Sequence, residues 1–244
     1  MKKFLVAIDQ GTTSTRVILF DTKGNTKFIS QFEFKQYFPK NGWVEHNPNE
    51  IWMTTLKSLK KVSQKAKQLK GKILSIGITN QRETTLLWNK KNGRPIYNAI
   101  VWQDRRTQKF CQNLKKNNYE NIIRKKTGLF IDPYFSATKI RWILDNVKES
   151  KKLLKSNNLL FGTIDTFLIW KLTKGKRHLT EATNASRTML YNINTNQWDK
   201  NILKKLKISH KILPEVKNSA DSFGTLDKKI IGQEIPISAV LGDQ

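Results

Sequence analysis

The segment Asp9–Arg16, read as Asp-Gln-Gly-Thr-Thr-Ser-Thr-Arg, brings together a carboxylate, a glycine, several hydroxyls and a guanidinium. Gly11 permits a tight turn and close approach of another group. Main-chain N–H groups and neighbouring hydroxyls can donate to phosphate oxygens. The candidate hydroxyl donors are those of Thr12, Thr13 and Ser14. Arg16 is suited to neutralise a phosphate, and Asp9 to hold Mg²⁺ directly or through water. The ordinary alternative is a polar hairpin between two strands. No P-loop lysine is present, and a strand rather than a helix follows.

A second polar cluster follows the apolar stretch 73–79. Arg82 and Glu83 offer a charged donor and a charged acceptor for vicinal hydroxyls, and ligands of open α/β sheets bind beyond the carboxyl ends of strands. An exposed ion pair of little energetic value is the alternative. Trp102, after another short strand, offers an apolar wall to the C–H face of a polyol. The sequence predicts that Asp104, two residues later, caps a helix.

Two further positions carry candidate chemistry. Tyr134 lies in a predicted loop, where it either contributes an aromatic face and hydroxyl to a site or packs before a helix capped by Ser136. Asp243 follows the apolar strand 235–241 and is a candidate general base or metal ligand. A helix N-cap is its alternative. The three histidines lack ligand spacing and are given no metal role.

The surrounding pattern predicts the elements that position these residues. Strands are expected over 4–8, 16–20, 26–34, 73–79, 84–88, 99–102, 159–164 and 235–241. Helices are expected over about 48–69, 104–117, 119–126, 136–147, 165–172 and 198–206. Asn47, Pro48 and Glu50 predict the start of the first helix, with a capping box. Strands that first form a meander and then alternate with helices indicate one α/β domain with a mixed sheet flanked by helices.

Composition narrows the functional classes. The chain has 45 Lys and Arg against 19 Asp and Glu, for a net charge of +26. Such a field suits a nucleic-acid partner. However, the lysines are spread over helix faces and over a predicted linker at 148–155, so we favour a general lysine bias and expect no nucleic-acid ligand. A single cysteine and the lack of a long apolar run predict a cytoplasmic protein without membrane insertion.

Together these segments closely resemble the glycerol kinase branch of the FGGY carbohydrate kinases. The matching stretches cover the whole chain and are DQGTTSTR from Asp9, GWVEHNP from Gly42, GITNQRET from Gly77, YNAIVWQDRR from Tyr97, GLFIDPYFSATK from Gly128, FGTIDTFLIWKL from Phe161, TNASRTML from Thr183 and GDQ from Gly242.

The resemblance implies an actin/hexokinase-like domain of ribonuclease-H type and ATP-dependent phosphorylation of glycerol to sn-glycerol 3-phosphate. By analogy, Asp9 helps to place Mg²⁺, Asp243 is the base, and Trp102 lines the pocket. The residues implied to contact nucleotide phosphates are Thr12, Thr13 and Arg16. Those implied to hydrogen-bond glycerol are Arg82, Glu83, Tyr134, Asp243 and Gln244. The matches at Arg82-Glu83, Trp102 and Tyr134 favour glycerol over pentoses.

The resemblance also implies a second, nucleotide-binding domain. We expect residues 1–244 to be the substrate-binding N-terminal domain of a truncated enzyme whose C-terminal domain is absent or carried by a separate chain. The isolated chain is then expected to have little or no kinase activity, because phosphoryl transfer depends on positioning and on closure against water. The alternative is a relic that binds polyol or phosphate without turnover. The sequence leaves a homo-oligomer open.

Overall fold

The computed structural model describes all residues from Met1 to Gln244 and has a mixed α/β architecture. The strands are β1 (Lys2–Gln10), β2 (Ser14–Asp21), β3 (Thr26–Glu33), β4 (Gln36–Tyr37), β5 (Glu45–His46), β6 (Gly71–Asn80), β7 (Leu86–Asn89), β8 (Ala99–Ile100), β9 (Leu159–Gly162), β10 (Leu179–Glu181), β11 (Tyr191–Asn192), β12 (Gln197–Trp198), β13 (Glu215–Lys217), β14 (Thr225–Leu226) and β15 (Ile235–Gly242). The α-helices are α1 (Pro48–Gln68), α2 (Gln108–Lys116), α3 (Glu120–Thr127), α4 (Ser136–Asn146), α5 (Lys148–Lys155), α6 (Ile164–Leu172), α7 (Ala182–Ala185), α8 (Lys200–Lys205) and α9 (Lys228–Ile231). Two 3₁₀ helices span Ser186–Thr188 and His210–Ile212.

Six strands form the central sheet in the order β14-β15-β6-β1-β2-β3. β15, β6 and β1 run parallel to one another, whereas the outer pairs are antiparallel. In this register Gln10 and Gly242 both lie beside Asn80. The carboxyl ends of three parallel strands therefore meet at one edge of the sheet.

The alternating apolar residues of β1 and the row of apolar residues on one face of α1 explain how the helix covers the sheet. Phe4, Val6 and Ile8 are buried beneath Ile51 and Leu59 in one hydrophobic cluster. Such burial stabilises the layer by roughly 1.5–3 kcal/mol for each large apolar side chain.

The start of α1 agrees with prediction in part. The Asn47 side chain accepts from the Asn49 N–H, and Pro48 is the first helical residue, as predicted. The predicted capping box is wrong. Glu50 instead accepts from the Lys35 N–H and from the hydroxyl of Tyr37 on β4, so donors outside the helix occupy its carboxylate.

The antiparallel pair β7–β9 separates two hydrophobic clusters. Because side chains alternate across a strand, Leu86 and Trp88 face the cluster beneath the central sheet, while Leu87 faces a second cluster formed mainly by α2–α5 and α8. On β9, Leu160 faces the cluster beneath the central sheet and Phe161 faces the second cluster. This shared ladder ties the helical part of the chain to the sheet.

Some predicted boundaries differ from the structure. The helix predicted from Asp104 begins only at Gln108. The lysine-rich stretch predicted as a linker is helix α5, because Ser150 and Leu153 provide one buried face that its few apolar residues hardly signal. The strand predicted from Thr84 begins at Leu86. No helix combines the length and apolar character required to cross a bilayer.

Candidate active site

The edge where the three parallel strands end carries most of the predicted site residues. Asp9 lies next to the last residue of β1, Arg82 follows β6, and Asp243 follows β15. The Gln81 N–H donates to the Gln10 carbonyl at 2.8 Å, and the Asp243 N–H donates to the Asn80 carbonyl at 3.2 Å. The sheet thus brings together groups that are far apart in sequence.

The Gly/Thr/Ser turn between β1 and β2 is held by its own backbone. The Gly11 N–H donates to the Ser14 carbonyl at 3.0 Å. Ser14 accepts from the Gln31 side chain at 3.0 Å, which leaves its own hydroxyl proton free to donate, and Thr13 is exposed. Arg16 pairs loosely with Asp9, with 3.7 Å between Nη1 and Oδ2. The turn presents donors and a guanidinium at the sheet edge, which is the arrangement that anions bind.

Arg82 is the cation of the neighbouring cluster. Its Nη2 donates to Gln244 Oε1 at 3.3 Å, and its Nε lies 3.9 Å from Asp243 Oδ1. That Nε is buried and has no hydrogen-bond partner. A buried donor without a partner is costly, so this nitrogen is a candidate contact for a ligand hydroxyl.

Gly242 makes room for the Arg82 side chain. A Cβ at this position would lie 2.3 Å from Arg82 Cδ and 2.8 Å from Cγ. The Gly242 N–H donates to the Thr183 hydroxyl at 2.9 Å. Sequence reasoning missed Thr183, which helps to fix the end of β15 although no pattern in its own segment indicates this.

Glu83 is a buried carboxylate, only 2% exposed, in the left-handed backbone region with φ 61°. Burial raises its pKa, and the nearby Arg187, Arg82 and Lys139 charges oppose that effect. Arg187 donates through Nε to Glu83 Oε1 at 2.5 Å. Sequence reasoning gave Arg187 no role, because its partner lies more than a hundred positions away and nothing in the sequence links them.

Trp102 and Tyr134 form an aromatic wall beside these groups. Their ring centroids are 5.5 Å apart at an angle of 52°. Trp102 Nε1 donates to the Thr12 hydroxyl at 3.1 Å, so the wall is tied directly to the anion-type turn. Burial, and secondarily the charge of Glu83, raises the pKa of Tyr134. The structure therefore brings the two predicted clusters into contact.

Asp104 and Ser136 do not act as the sequence predicts. Asp104 is buried, accepts from the Val44 N–H at 2.7 Å and pairs with Arg106 at 2.8 Å, so the predicted helix cap is wrong. The side chain of Ser136 likewise caps nothing, since its hydroxyl donates to the Glu83 carbonyl at 3.1 Å. In both cases a partner distant in sequence competes successfully with the local helix.

The carboxylates of the site suit a metal held together with a ligand. No group of three or more His, Cys, Asp and Glu side chains is arranged to hold an ion by itself. Burial raises the pKa of Asp243, Arg82 opposes that effect, and the charge of Asp9 adds to it. Mg²⁺ usually takes only one or two carboxylates, with phosphate oxygens and water completing the set. The pair therefore fits a magnesium–phosphate complex.

A mixed sheet with a turn rich in hydrogen-bond donors beside a cluster of charged and aromatic side chains is the arrangement expected of a carbohydrate kinase domain. The model of the FGGY family of carbohydrate kinases, N-terminal domain, matches residues 4–244. The chain therefore belongs to the FGGY family of carbohydrate kinases.

Within the family, the chain is similar to several glycerol kinases. The chain is 53% identical over 244 residues to a glycerol kinase of Petrotoga mobilis and 55% identical over 247 residues to one of Malacoplasma penetrans, covering 100% of this chain and 49% of each relative. The crystal structure of Plasmodium falciparum glycerol kinase with ADP superposes with a TM-score of 0.95 at 38% identity, over 100% of this chain and 49% of that one. The chain spans about half the length of the curated relatives it matches. The predicted actin/hexokinase-like α/β fold is confirmed.

Proposed function

We propose that this chain is the substrate-binding domain of a glycerol kinase, which transfers the γ-phosphoryl group of ATP to glycerol and yields sn-glycerol 3-phosphate. One observation carries the proposal. The Gly/Thr/Ser turn lies at the same sheet edge as the hydroxyl-binding cluster, by which we mean Arg82, Glu83, Asp243 and Gln244. The hydrogen bond from Trp102 to Thr12 joins the turn to the aromatic wall of the same site. Identity above 50% to the two glycerol kinases supports glycerol as the acceptor.

The hydroxyl-binding cluster is proposed to hold glycerol. Arg82 donates to hydroxyl oxygens through its free Nε, and Glu83 accepts from hydroxyl protons. The residues proposed to complete the pocket are Trp102, Tyr134, Asp243 and Gln244. Tyr134 and Trp102, whose rings are in contact, cover the C–H face of the triol.

The turn is proposed to bind the nucleotide phosphates. The proposed donors are Thr12, Thr13, Ser14 and Arg16. Asp9 and Asp243 are the residues that would hold Mg²⁺. When it is bound with ATP, the ion would offset negative charge on the phosphate oxygens.

Asp243 is proposed to act as the general base. Its carboxylate accepts the proton of the terminal hydroxyl as the hydroxyl oxygen forms a bond to the γ-phosphorus and the bond from that phosphorus to the ADP oxygen breaks. Burial raises the Asp243 pKa, which makes the carboxylate a better proton acceptor. Arg82, whose Nε lies 3.9 Å from Asp243 Oδ1, orients the attacking hydroxyl.

Turnover is proposed to require a second domain of the kind that the other half of the longer relatives would supply. Thr13 is exposed, and the Asp9 and Arg16 side chains keep 34% and 42% of their accessible surface. Phosphoryl transfer is favoured where closure excludes water from such groups.

Binding and turnover test the proposal separately. Calorimetry should show saturable binding of glycerol to the 244-residue chain and weaker binding of xylitol. Asp243→Asn should weaken glycerol binding by about tenfold or more, the expected effect of losing a charged hydrogen bond. Asp145→Asn is the matched control, because Asp145 is more than half exposed and pairs only with Arg141. A wild-type chain without saturable glycerol binding contradicts the proposal.

For turnover, glycerol-dependent ADP release is measured for the chain alone and together with the second half of the Petrotoga mobilis relative. We expect release only in the combination, and we expect Asp243→Asn to abolish it. Undiminished release by the Asp243→Asn variant would exclude the proposed base.

A further inference from the structure

Lys139 is a fully buried lysine with no role in the chemistry described above. It lies on α4, is 0% exposed, and is among the largest completely buried side chains of the protein. Burial lowers its pKa to about 7, and the negative charges of Glu83, Asp104 and Asp132 oppose that effect. A lysine is rarely buried without a specific partner, because removing an ammonium from water is costly.

The partners of Lys139 are main-chain carbonyls of two proposed glycerol-binding residues. Its Nζ donates to the Tyr134 carbonyl at 2.6 Å and, more weakly, to the Glu83 carbonyl at 3.4 Å. The same Glu83 carbonyl also accepts from the Ser136 hydroxyl, one turn earlier on α4, at 3.1 Å and from the Thr85 hydroxyl at 2.9 Å. One side chain thus joins the segment of Glu83 to the segment of Tyr134, which are far apart in sequence.

The backbone of Glu83 needs such support. Its φ of 61° lies in the left-handed region, which a residue with a Cβ adopts only where its surroundings compensate the strain. This conformation sets the direction in which the Glu83 carboxylate leaves the chain, toward Arg187. A lost donor at the Glu83 carbonyl would therefore be felt at the carboxylate.

We propose that Lys139 is a positioning residue of the glycerol pocket, whose ammonium fixes the backbone of Glu83 and Tyr134 through their carbonyl oxygens. This inference rests on the proposed function for its consequence in glycerol binding. The positioning of the two segments can be measured without glycerol.

Hydrogen–deuterium exchange is the first test. Lys139→Met keeps an unbranched side chain but is one atom shorter and lacks the donor. At pH 6, below the Lys139 pKa of about 7, amide exchange in segment 132–136 should become about tenfold faster or more, the expected effect of losing a charged hydrogen bond to the Tyr134 carbonyl, and exchange in segment 81–86 should rise by a smaller factor. Exchange in β1 and β2 should change little. Ser136→Ala should loosen segment 81–86 alone, because Ser136 contacts only the Glu83 carbonyl there. Lys171→Met, which removes a half-buried lysine on α6 that stacks near Trp52, is the control and should leave both segments unchanged.

If Lys139→Met does not fold, the same exchange measurement on Lys139→Gln tests the proposal. Its amide is one bond shorter and uncharged, so it cannot satisfy both carbonyls, and at least one of the two segments should exchange faster. Unchanged exchange in both segments overturns the proposal, as does loosening spread evenly over the whole domain, which indicates only a packing role.

Glycerol binding separates this inference from the proposed function. With a wild-type chain that binds glycerol, Lys139→Met should raise the dissociation constant by about tenfold, and Lys171→Met should not. Wild-type-like affinity and exchange in the variant overturn the inference and leave the proposed function standing. If the wild-type chain does not bind glycerol but the variant loosens both segments, the proposed function fails while the positioning of Glu83 and Tyr134 by Lys139 stands.

Discussion

The pair formed by Glu83 and Arg187 offers the sharpest test of how the site is built. In Arg187→Met, a carboxylate that is 2% exposed loses its one hydrogen-bonded cation. Removing one partner of a fully buried pair costs about 3–5 kcal/mol. Because the Arg187 side chain retains 28% of its accessible surface, we expect the free energy of unfolding to fall by about 2–3 kcal/mol at pH 8.

The size of this loss should depend on pH in a defined direction. Burial already raises the native-state pKa of Glu83 above its ordinary value of 4.5, and without Arg187 that pKa rises further. A carboxyl with a raised native-state pKa favours the folded protein below its ordinary pKa, and that advantage is lost as the pH rises through the raised value. The difference between wild type and Arg187→Met should therefore be small near pH 4 and reach its full size by pH 8.

Urea unfolding followed by tryptophan fluorescence at several pH values measures this difference directly. Glu83→Gln is the control, because a neutral side chain has no charge to be left unpaired. In a double-mutant cycle, Arg187→Met should cost much less in the Glu83→Gln background. An equal loss at pH 4 and pH 8, or an equal loss in both backgrounds, would refute the view that Arg187 acts by keeping the buried Glu83 charge paired.

Three further predictions concern the support of the site. Gly242→Ala should destabilise the protein by about 1–3 kcal/mol and weaken glycerol binding in calorimetry, because the added Cβ collides with the Arg82 side chain. Gly232→Ala is the control: its Cβ meets no atom within 4 Å and should cost only about 1 kcal/mol of backbone strain. Arg106→Met leaves the buried carboxylates of Glu45 and Asp104 without their cation and should lower the free energy of urea unfolding by about 3–5 kcal/mol. Arg105→Met is the control, because Arg105 is half exposed and its loss should cost less than about 1 kcal/mol. Burial lowers the pKa of His46 to about 4, so the stability that the neutral imidazole gives above pH 6.5 is lost as the pH falls toward 4. Between pH 7 and pH 4, His46→Asn should therefore lose about 3 kcal/mol less free energy of unfolding than wild type. Equal losses in the two proteins would refute this.

The sequence by itself determined the order of most elements. The apolar alternation of β1 and β2, the Asn-Pro start of α1 and the apolar run of β15 are local signals, and local steric and hydrophobic preferences are enough to predict them. The Gly-Thr-Thr-Ser turn could be predicted as a candidate anion site for the same reason, since its donors are adjacent in the chain.

Only the tertiary structure decided which groups work together. Arg187 meets Glu83 and Lys139 reaches the Glu83 carbonyl because the segment after β6, helix α4 and the segment after β10 meet in space. Asp104 accepts from the Val44 N–H instead of capping a helix, because the chain ahead of β5 packs against the segment that follows β8. Burial, which sets the pKa shifts and the cost of each unpaired charge, depends on the packing of all these elements at once. A buried ion pair between residues a hundred positions apart leaves no periodicity in the sequence, so it can be found only once the fold is known.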